Sequence, residues 1–451
     1  MATTQATPTA APPMGLGLRL NLSVMMFLQF AIWGAWFSVL GNYLGALKFS
    51  PADIGMIYGT MALGTIFAPL FVGQIADRYF PSQILMALLH LAGAGALYYL
   101  ATIKPTGDTA EAVAAASSKF YWVALGYALI YSPTLALSNS IAFTHIPDGT
   151  RDFPGIRVLG TIGWIAAGLI VGKVLAMPEI SGKLAEIAGI SAEAAKDPKT
   201  TNLPILLAAA FSALLGLWSF ILPHTPPKGQ AGDTIPFLRA LGLLGDPLFA
   251  VFFGVSFVIT IVLAFYYGFT GLWLEKKMGV QDVASTMTIG QWSEMLLLPF
   301  LPFFLKRFGM KGVLAFGMLA WGVRYAWFAY IRPIPVELGG LGIVDLGIVL
   351  PLALHGICYD FFFAAAFIHV DNESPPEIRG SAQALFTFLT YGLGMWIGNV
   401  LSGKVAEYYK NPTTGEIDWQ QFWIVPSAGV LVSLLIFLVA FRTRPAGQKA
   451  Y

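Results

Sequence analysis

The sequence has few charged residues and almost no cysteine, and each shortage excludes a class of protein. Asp, Glu, Lys and Arg make up 11% of the 451 residues, whereas soluble domains carry roughly 25%. Hydrophobic residues make up 57%, which is more apolar surface than a soluble fold can bury. The single cysteine, Cys358, excludes a disulfide framework and a cysteine metal site within one chain. Its apolar surroundings favour a small buried side chain.

The sequence also contains no pattern that indicates nucleic-acid binding or a common catalytic chemistry. The 26 basic and 24 acidic residues leave a formal net charge of +2, so the chain has no basic field for nucleic acid. The five histidines show no metal-ligand spacing such as HExxH, and no GxxxxGK[ST] phosphate loop occurs. We therefore predict that the chain is not an enzyme, binds no metal and requires no cofactor.

Long apolar segments dominate the rest of the chain. A helix that crosses a hydrocarbon core of about 30 Å needs about 20 mostly apolar residues. Twelve segments of about that length are separated by polar or turn-rich breaks: 20–44, 54–76, 82–103, 119–143, 155–176, 203–223, 246–274, 284–305, 311–331, 342–370, 379–407 and 420–441. We predict an all-α membrane protein with twelve transmembrane helices in two six-helix halves.

Basic residues mark alternate breaks and set the orientation. Arg19 precedes the first segment, and Arg78, Arg151 and Arg379 fall in later breaks on the same side. The positive-inside rule then places both termini in the cytoplasm. The predicted organisation is a disordered tail (1–19), an N-terminal half (20–223), a cytoplasmic linker (224–245), a C-terminal half (246–441) and a second cytoplasmic tail (442–451).

Two similar stretches suggest that the halves are related. FTHIPDGTRDFPGIRVLGTIGW begins at Phe143 after the fourth segment, and FIHVDNESPPEIRGSAQALF begins at Phe367 after the tenth. Both place an aromatic residue and a histidine before an acidic turn with proline, followed by an arginine at the start of a helix. Duplicated halves are typical of secondary transporters.

Residues 73–78, with the sequence GQIADR, resemble the loop motif between the second and third helices of the major facilitator superfamily. The resemblance implies that Asp77 and Arg78 act as a conformational latch between helix ends.

Longer stretches resemble one family within that superfamily. They include FLQFAIWGAWFSVLGNYL (27–44), DFPGIRVLGTIGW (152–164) and QWSEMLLLPFLPFFLKRFGMKGV (291–313), with YSPTLALSNSIAF, YDFFF and DWQQFW in the same order. The chain is similar over about residues 20–441 to the bacterial nucleoside:proton symporters. This resemblance implies a monomeric importer of purine or pyrimidine nucleosides in the bacterial inner membrane, which works by alternating access.

Charged residues inside transmembrane segments are expensive and are therefore functional candidates. Arg157, Thr161 and Trp164 share one helix face and could bind a polar solute; a helix-end charge is the alternative for Arg157. Gln291 and Glu294 are one turn apart and suit ribose hydroxyls, unless they form a structural pair.

A second group of candidates lies in the tenth segment. His355 and Tyr359 share a helix face, and Asp360 lies beside them. A carboxylate inside a membrane can take up and release a proton, so we predict proton coupling at Asp360, with Glu294 as the other candidate. The alternative for Asp360 is a permanent salt bridge to Arg324. The resemblance implies the functional role for Arg157, Thr161, Gln291, Glu294 and Asp360.

The first predicted helix carries an amide and two indole side chains at positions i, i+4 and i+7, the same spacing as that of Arg157, Thr161 and Trp164. Gln29, Trp33 and Trp36 are predicted to bind the solute, with packing as the alternative for the tryptophans, and Asn139 is a weaker candidate. The segment VLAFYYGFTGLWL lacks the amides that the resembling family carries there, so Tyr266 or Tyr267 is the expected substitute. His355 and Tyr359 also differ from the family's pattern. A sugar, a nucleobase or another polar metabolite is therefore the alternative cargo.

Overall fold

The computed structural model describes residues 13–71, 79–227, 236–337 and 343–442. Apolar helices form nearly all of this part of the chain. The α-helices are α1 (Leu16–Trp36), α2 (Leu40–Ala46), α3 (Pro51–Phe71), α4 (Ser82–Thr102), α5 (Ala110–His145), α6 (Gly149–Leu169), α7 (Pro178–Ala188), α8 (Ala192–Ala195), α9 (Leu203–Ser219), α10 (Pro247–Lys276), α11 (Val283–Leu297), α12 (Leu301–Tyr330), α13 (Leu346–Ala353), α14 (His355–Cys358), α15 (Ala365–Glu373), α16 (Arg379–Thr387), α17 (Met395–Tyr408) and α18 (Trp419–Ala440).

These helices make twelve crossings, as the sequence predicts. Nine helical stretches of the described chain are long and apolar enough to span a membrane. One of them, Val283–Tyr330, contains 48 residues and is far too long for one pass, and a positive φ of 69° at Gly309 divides it in two. The helix α3 and the 17-residue apolar α9 complete the twelve.

Some boundaries differ from the prediction. The fourth span starts at Ala110 rather than at 119, because the Thr109 side chain accepts a hydrogen bond from the Ala112 amide and caps the longer helix. The first helix starts at Leu16, inside the predicted tail.

The tenth span departs most from a regular helix. It is divided into α13, α14, a π-helical turn (Tyr359–Ala364) and α15, and α13 contains Pro351. A second π-helical turn, Phe388–Gly394, separates α16 from α17. Such turns contain an extra residue and are frequent at functional sites.

Small elements outside the spans were not predicted. The helices α7 and α8 lie in the break between the fifth and sixth spans. A two-stranded antiparallel sheet, β1 (Pro335–Glu337) and β2 (Ile343–Asp345), lies between the ninth and tenth spans. The 3-10 helix Pro236–Gly245 precedes α10 within the predicted linker.

The two predicted halves approach each other most closely at one end of the bundle. We call this end the distal face; the terminal face, at the other end, is where α1 begins and α18 ends. A Cβ atom on Gly55 of α3 would clash with the Asn399 carbonyl oxygen of α17 and lie 2.8 Å from the Gly403 Cα. A Cβ on Gly41 would lie 3.0 Å from the Gly268 carbonyl oxygen. Glycine at these positions permits backbone contact between halves.

Polar contacts reinforce the distal face. The Asn42 amide donates a hydrogen bond of 3.1 Å to the Gly271 carbonyl of α10, and Lys173 forms a 2.6 Å ion pair with Asp282. At the terminal face, polar contacts such as Arg19 to Asp152 (3.1 Å) and Lys311 to the Phe441 carbonyl (2.7 Å) lie within one half. The structure is therefore closed at the distal face.

The glycine contact predicts a conformational effect of Gly55→Val. The added side chain cannot fit against α17, so we expect the distal face to separate. Spin labels on the exposed Met56 and Tyr408 positions should move apart when measured by double electron–electron resonance. Cys358 is buried and will not take the label.

Gly126→Val is the matched control, because a Cβ at that position of α5 meets no atom within 4 Å. Equal distance distributions for Gly55→Val and the parent protein would contradict the assignment of this contact.

Candidate functional site

A cavity of about 190 Å³ lies between the two halves. Eight of its seventeen lining residues are aromatic, and they come from both halves: Phe30, Trp33, Phe37, Tyr58, Trp164, Tyr267, Tyr359 and Tyr391. The polar groups are fewer and also come from both halves: Thr65, Arg157, Thr161, Gln291, Glu294 and Asn399. Flat apolar surfaces with a few polar groups are typical of a site for a small, partly aromatic solute.

Eight of the predicted binding residues line this cavity: Trp33, Arg157, Thr161, Trp164, Tyr267, Gln291, Glu294 and Tyr359. The helical spacing of Arg157, Thr161 and Trp164 thus produces one continuous strip of the wall. Four other predicted binding residues, and the predicted proton carrier, lie elsewhere.

Arg157 lies more than two turns inside α6, which begins at Gly149. Its guanidinium carbon is 4.1 Å from the centre of the Phe30 ring, an arrangement that partly compensates a cation away from water. No ion pair within 4.0 Å joins it to Glu294 in the described chain, although both line the cavity. The helix-end alternative therefore does not describe its position.

Gln291 and Glu294 are held in place through their own helix. Ser293 of α11 accepts a 2.9 Å hydrogen bond from the Gly356 amide of α14, which fixes this turn against the tenth span. The Gln291 Oε1 atom is buried and has no hydrogen-bond partner among the described residues. An amide oxygen in this condition is ready for a ligand donor, because leaving it unpaired is costly.

The aromatic wall is built by edge-to-face contacts. The Trp33 ring centre is 5.5 Å from that of Trp164 and 5.4 Å from that of Phe37, and Phe37 is 5.8 Å from Tyr267 across the halves. A Cβ on Gly34 would lie 2.8 Å from the Trp164 Cα, so α6 can approach α1 here only because residue 34 is glycine.

Gln29, which is predicted to bind the solute, does not line the cavity in this conformation. The side chain is fully buried, donates a 2.8 Å hydrogen bond to Thr134 and accepts from the His90 ring at 3.0 Å. The Tyr131 hydroxyl donates to the Gln29 carbonyl at 2.6 Å. Helical spacing places residues on one stripe but does not say which neighbour the stripe meets. Gln29 meets other helices of its own half.

Trp36 and Asn139 also lie away from the cavity. Trp36 is 2% exposed and packs edge-to-face on Tyr127, with ring centres 5.7 Å apart. Packing, the alternative for this tryptophan, is therefore its observed role. Asn139 is exposed on α5 and has no place in the cavity wall.

His355 lies behind Tyr359 rather than in the wall. Its ring stacks on those of Tyr266 and Tyr359, with centres 5.2 and 5.6 Å apart. Its Nδ1 atom accepts a 3.1 Å hydrogen bond from the Arg324 guanidinium, whose carbon lies 3.6 Å from the centre of the Tyr266 ring. Aromatic rings enclose His355, and it does not line the cavity in this conformation; its direct contact with the solute stays a prediction.

Asp360 is 1% exposed and lies in the π-helical turn of the tenth span. Its Oδ2 atom is buried and has no hydrogen-bond partner among the described residues. No ion pair to Arg324 forms within 4.0 Å in this part of the chain, because the arginine binds His355 instead. The salt-bridge alternative is thus absent from this conformation. Tyr359, the preceding residue, lines the cavity.

The predicted latch residues, Asp77 and Arg78, lie outside the described residues.

Several cavity residues had not been predicted. Phe30, Phe37 and Tyr58 are aromatic residues in apolar helices, and nothing in the sequence separates them from core residues. Tyr391 lies in the second π-helical turn and shares a 2.8 Å hydrogen bond with the Tyr359 hydroxyl. Asn399 could have been found, because a mid-membrane amide is a recognisable candidate.

Comparisons with known proteins show the family of this chain. The model of a family described as nucleoside H+ symporter matches residues 14–446. A putative nucleoside transporter of Escherichia coli, YegT, is 39% identical over 429 residues, which cover 94% of this chain and 93% of that protein. The nucleoside permease NupG of Escherichia coli is 32% identical over 445 residues, covering 95% and 96%. A crystal structure of NupG gives a TM-score of 0.78 at 31% identity, covering 95% and 100%.

The buried network around Gln29 predicts a stability effect. Gln29→Leu leaves His90 and Thr134 without their partner, which should destabilise the protein by about 1–3 kcal/mol. We expect a lower midpoint of thermal unfolding in detergent. Gln420→Leu, at an exposed position of α18, should leave the midpoint unchanged. An unaltered midpoint for Gln29→Leu would show that the network contributes little.

Proposed function

The chain belongs to the nucleoside H+ symporter family and is a proton-coupled nucleoside transporter with the fold of the major facilitator superfamily; we propose that the cavity between its halves holds the nucleoside and that Asp360 carries the proton. The observation that supports this site is the combination of aromatic planes with polar groups from both halves in one cavity. The alternative cargo, a sugar, a nucleobase or another polar metabolite, is not favoured, because the relatives are nucleoside permeases.

The aromatic and polar groups suit different parts of a nucleoside. Trp33 and Trp164 offer ring faces and edges to a base. Arg157 and Thr161 from one half, with Gln291 and Glu294 from the other, offer donors and acceptors for ribose hydroxyls and base edges. Since these groups come from both halves, a bound nucleoside would link the halves directly.

The position of Asp360 supports the proposal that it carries the proton. An ionised carboxylate without a partner is expensive in a membrane interior, and a proton on the carboxyl removes the charge. Asp360 is buried, has an unpartnered oxygen and directly follows Tyr359, which lines the cavity. A movement of the π-helical turn would therefore change the contact of both residues with the cavity.

The halves are proposed to rock about this site. The N-terminal half (20–223) and the C-terminal half (246–441) would move as units joined by the linker 224–245. With both termini in the cytoplasm of a bacterial cell, the distal face is periplasmic, so this structure is the inward-facing state. Opening that face would require α3 to separate from α17 at Gly55. One monomer contains the whole site.

The coupling proposal predicts the behaviour of Asp360→Asn. In proteoliposomes, an inward proton gradient should drive accumulation of labelled uridine and adenosine by the parent protein. The variant should lose this accumulation by tenfold or more, while exchange of nucleoside between the two sides continues, because exchange needs no net proton movement.

Asp371→Asn is the control, because that carboxylate lies near the end of the same span and outside the cavity wall. Gradient-driven accumulation that persists in Asp360→Asn and disappears in Glu294→Gln would assign the proton to Glu294. If the parent protein took up neither nucleoside, the proposed cargo would be wrong.

The stacking proposal predicts a loss that depends on the base. Removing one aromatic partner should cost about 1–3 kcal/mol, or roughly 5- to 150-fold in affinity. Trp164→Leu should therefore weaken adenosine binding by an amount in this range and leave the binding of free D-ribose unaltered. Isothermal titration of the purified protein measures both.

Trp122→Leu serves as the control, since Trp122 is 65% exposed on α5 and lies away from the cavity. Equal losses for adenosine and ribose in Trp164→Leu would argue against base stacking.

A further inference from the structure

Asn399 of α17 lines the cavity, and one of the two polar atoms of its side chain has no hydrogen-bond partner among the described residues. The residue is 1% exposed, and its Nδ2 group donates a 2.8 Å hydrogen bond to the Met395 carbonyl one turn earlier. This bond fixes the orientation of the amide, because the carbonyl can only accept. The Oδ1 atom therefore points away from Met395, is buried and has no hydrogen-bond partner among the described residues.

The neighbouring helices leave space around this amide. A Cβ on Gly268 of α10 would lie 3.9 Å from the Asn399 Oδ1 atom, and a Cβ on Gly59 of α3 would lie 3.8 Å from the Asn399 Cβ. Both helices thus present a glycine toward Asn399, and the Ser402 hydroxyl near Gly268 bonds to the Asn399 backbone carbonyl rather than to Oδ1. An acceptor that is desolvated and unpaired is available to a ligand donor, because leaving it unpaired is costly.

The polar groups of the cavity differ between the halves. Hydroxyl groups line the cavity from both halves; beyond these, the N-terminal half presents donors, namely the Arg157 guanidinium and the unpartnered Trp33 Nε1. The C-terminal half presents the unpartnered oxygens of Gln291 and Asn399 and the Glu294 carboxylate. Ribose hydroxyls can satisfy either kind of group. A neutral base edge satisfies an acceptor only where it carries an N–H group.

We propose that the Asn399 Oδ1 atom accepts a hydrogen bond from an N–H group on the edge of the base, and thereby makes the carrier prefer nucleosides whose base has such a donor. The inference rests on the proposed nucleoside site and adds a specificity-determining residue to it. The donor is an exocyclic amine or a ring N–H. A base without one leaves the oxygen buried and unpaired, and sites of this kind reject such analogues strongly.

The test compares adenosine with purine riboside, which differs from it only by lacking the 6-amino group. Both are titrated against the purified full-length protein. We expect the parent protein to bind adenosine at least tenfold more tightly. In Asn399→Leu the ratio of the two affinities should fall to within about twofold of unity, through weaker binding of adenosine.

Asn399→Ser provides a second variant in case the leucine is not tolerated. The serine hydroxyl can donate to the Met395 carbonyl, so the contact within the helix is kept. The serine oxygen lies one bond nearer the backbone than the Asn399 Oδ1 atom, so it no longer reaches the base. The same loss of preference is expected. Uridine and 3-methyluridine, which lacks the ring N–H, form an independent pair of probes and should show the same change.

Asn42→Leu is the matched control. Asn42 is also a buried asparagine with an unpartnered Oδ1, but it lies at the distal face outside the cavity wall. Its substitution should leave the affinity ratio unchanged. A ratio that persists in both Asn399 variants, or that collapses in Gln291→Leu instead, overturns the inference while leaving the nucleoside site intact. A parent protein that binds neither adenosine nor uridine refutes the proposed function itself.

Discussion

The close approach of glycine-bearing helices at the distal face determines the arrangement of the rest of the structure. Helices in a lipid environment gain little from hydrophobic burial, so their association depends on packing of small residues and on polar contacts. Gly55 against Gly403 and Gly41 against Gly268 bring the halves into backbone contact at one end. This contact closes the distal face, and the cavity lies between the halves. The aromatic rings then line the remaining space.

Buried polar groups fall into two kinds that correspond to two roles. In the N-terminal half, Gln29 bonds to His90 and Thr134 and so links three helices, as expected for a network that rigidifies a packed unit. At the cavity and beside it, Gln291 and Asp360 keep unpartnered oxygens. A network of this kind favours movement of the half as a unit. Groups without partners within the protein are the ones available to a solute or a proton.

The sequence was sufficient for the number of spans and for the strip Arg157, Thr161 and Trp164, because hydropathy and helical spacing follow directly from backbone geometry. It was insufficient wherever the answer depended on a neighbouring helix. Gln29 has the same spacing to Trp33 as Arg157 has to Thr161, yet it faces the interior of its own half. The π-helical turn that contains Asp360 also depends on packing, and no residue pattern in the sequence predicts it.

Among the described residues, Arg324 and Asp360 do not form an ion pair, and this bears on whether the Asp360 carboxyl can bind a proton. A buried cation and a buried carboxylate in adjacent spans would be expected to form an ion pair, and a stable pair would hold the carboxylate in its ionised form. Here the guanidinium instead lies over the Tyr266 ring and donates to His355, so its charge is compensated without a carboxylate. The aromatic enclosure of the arginine therefore leaves Asp360 unpaired. In the proposed mechanism, this unpaired carboxyl, one residue from the cavity wall, binds and releases a proton as the wall moves, which a permanent ion pair would prevent.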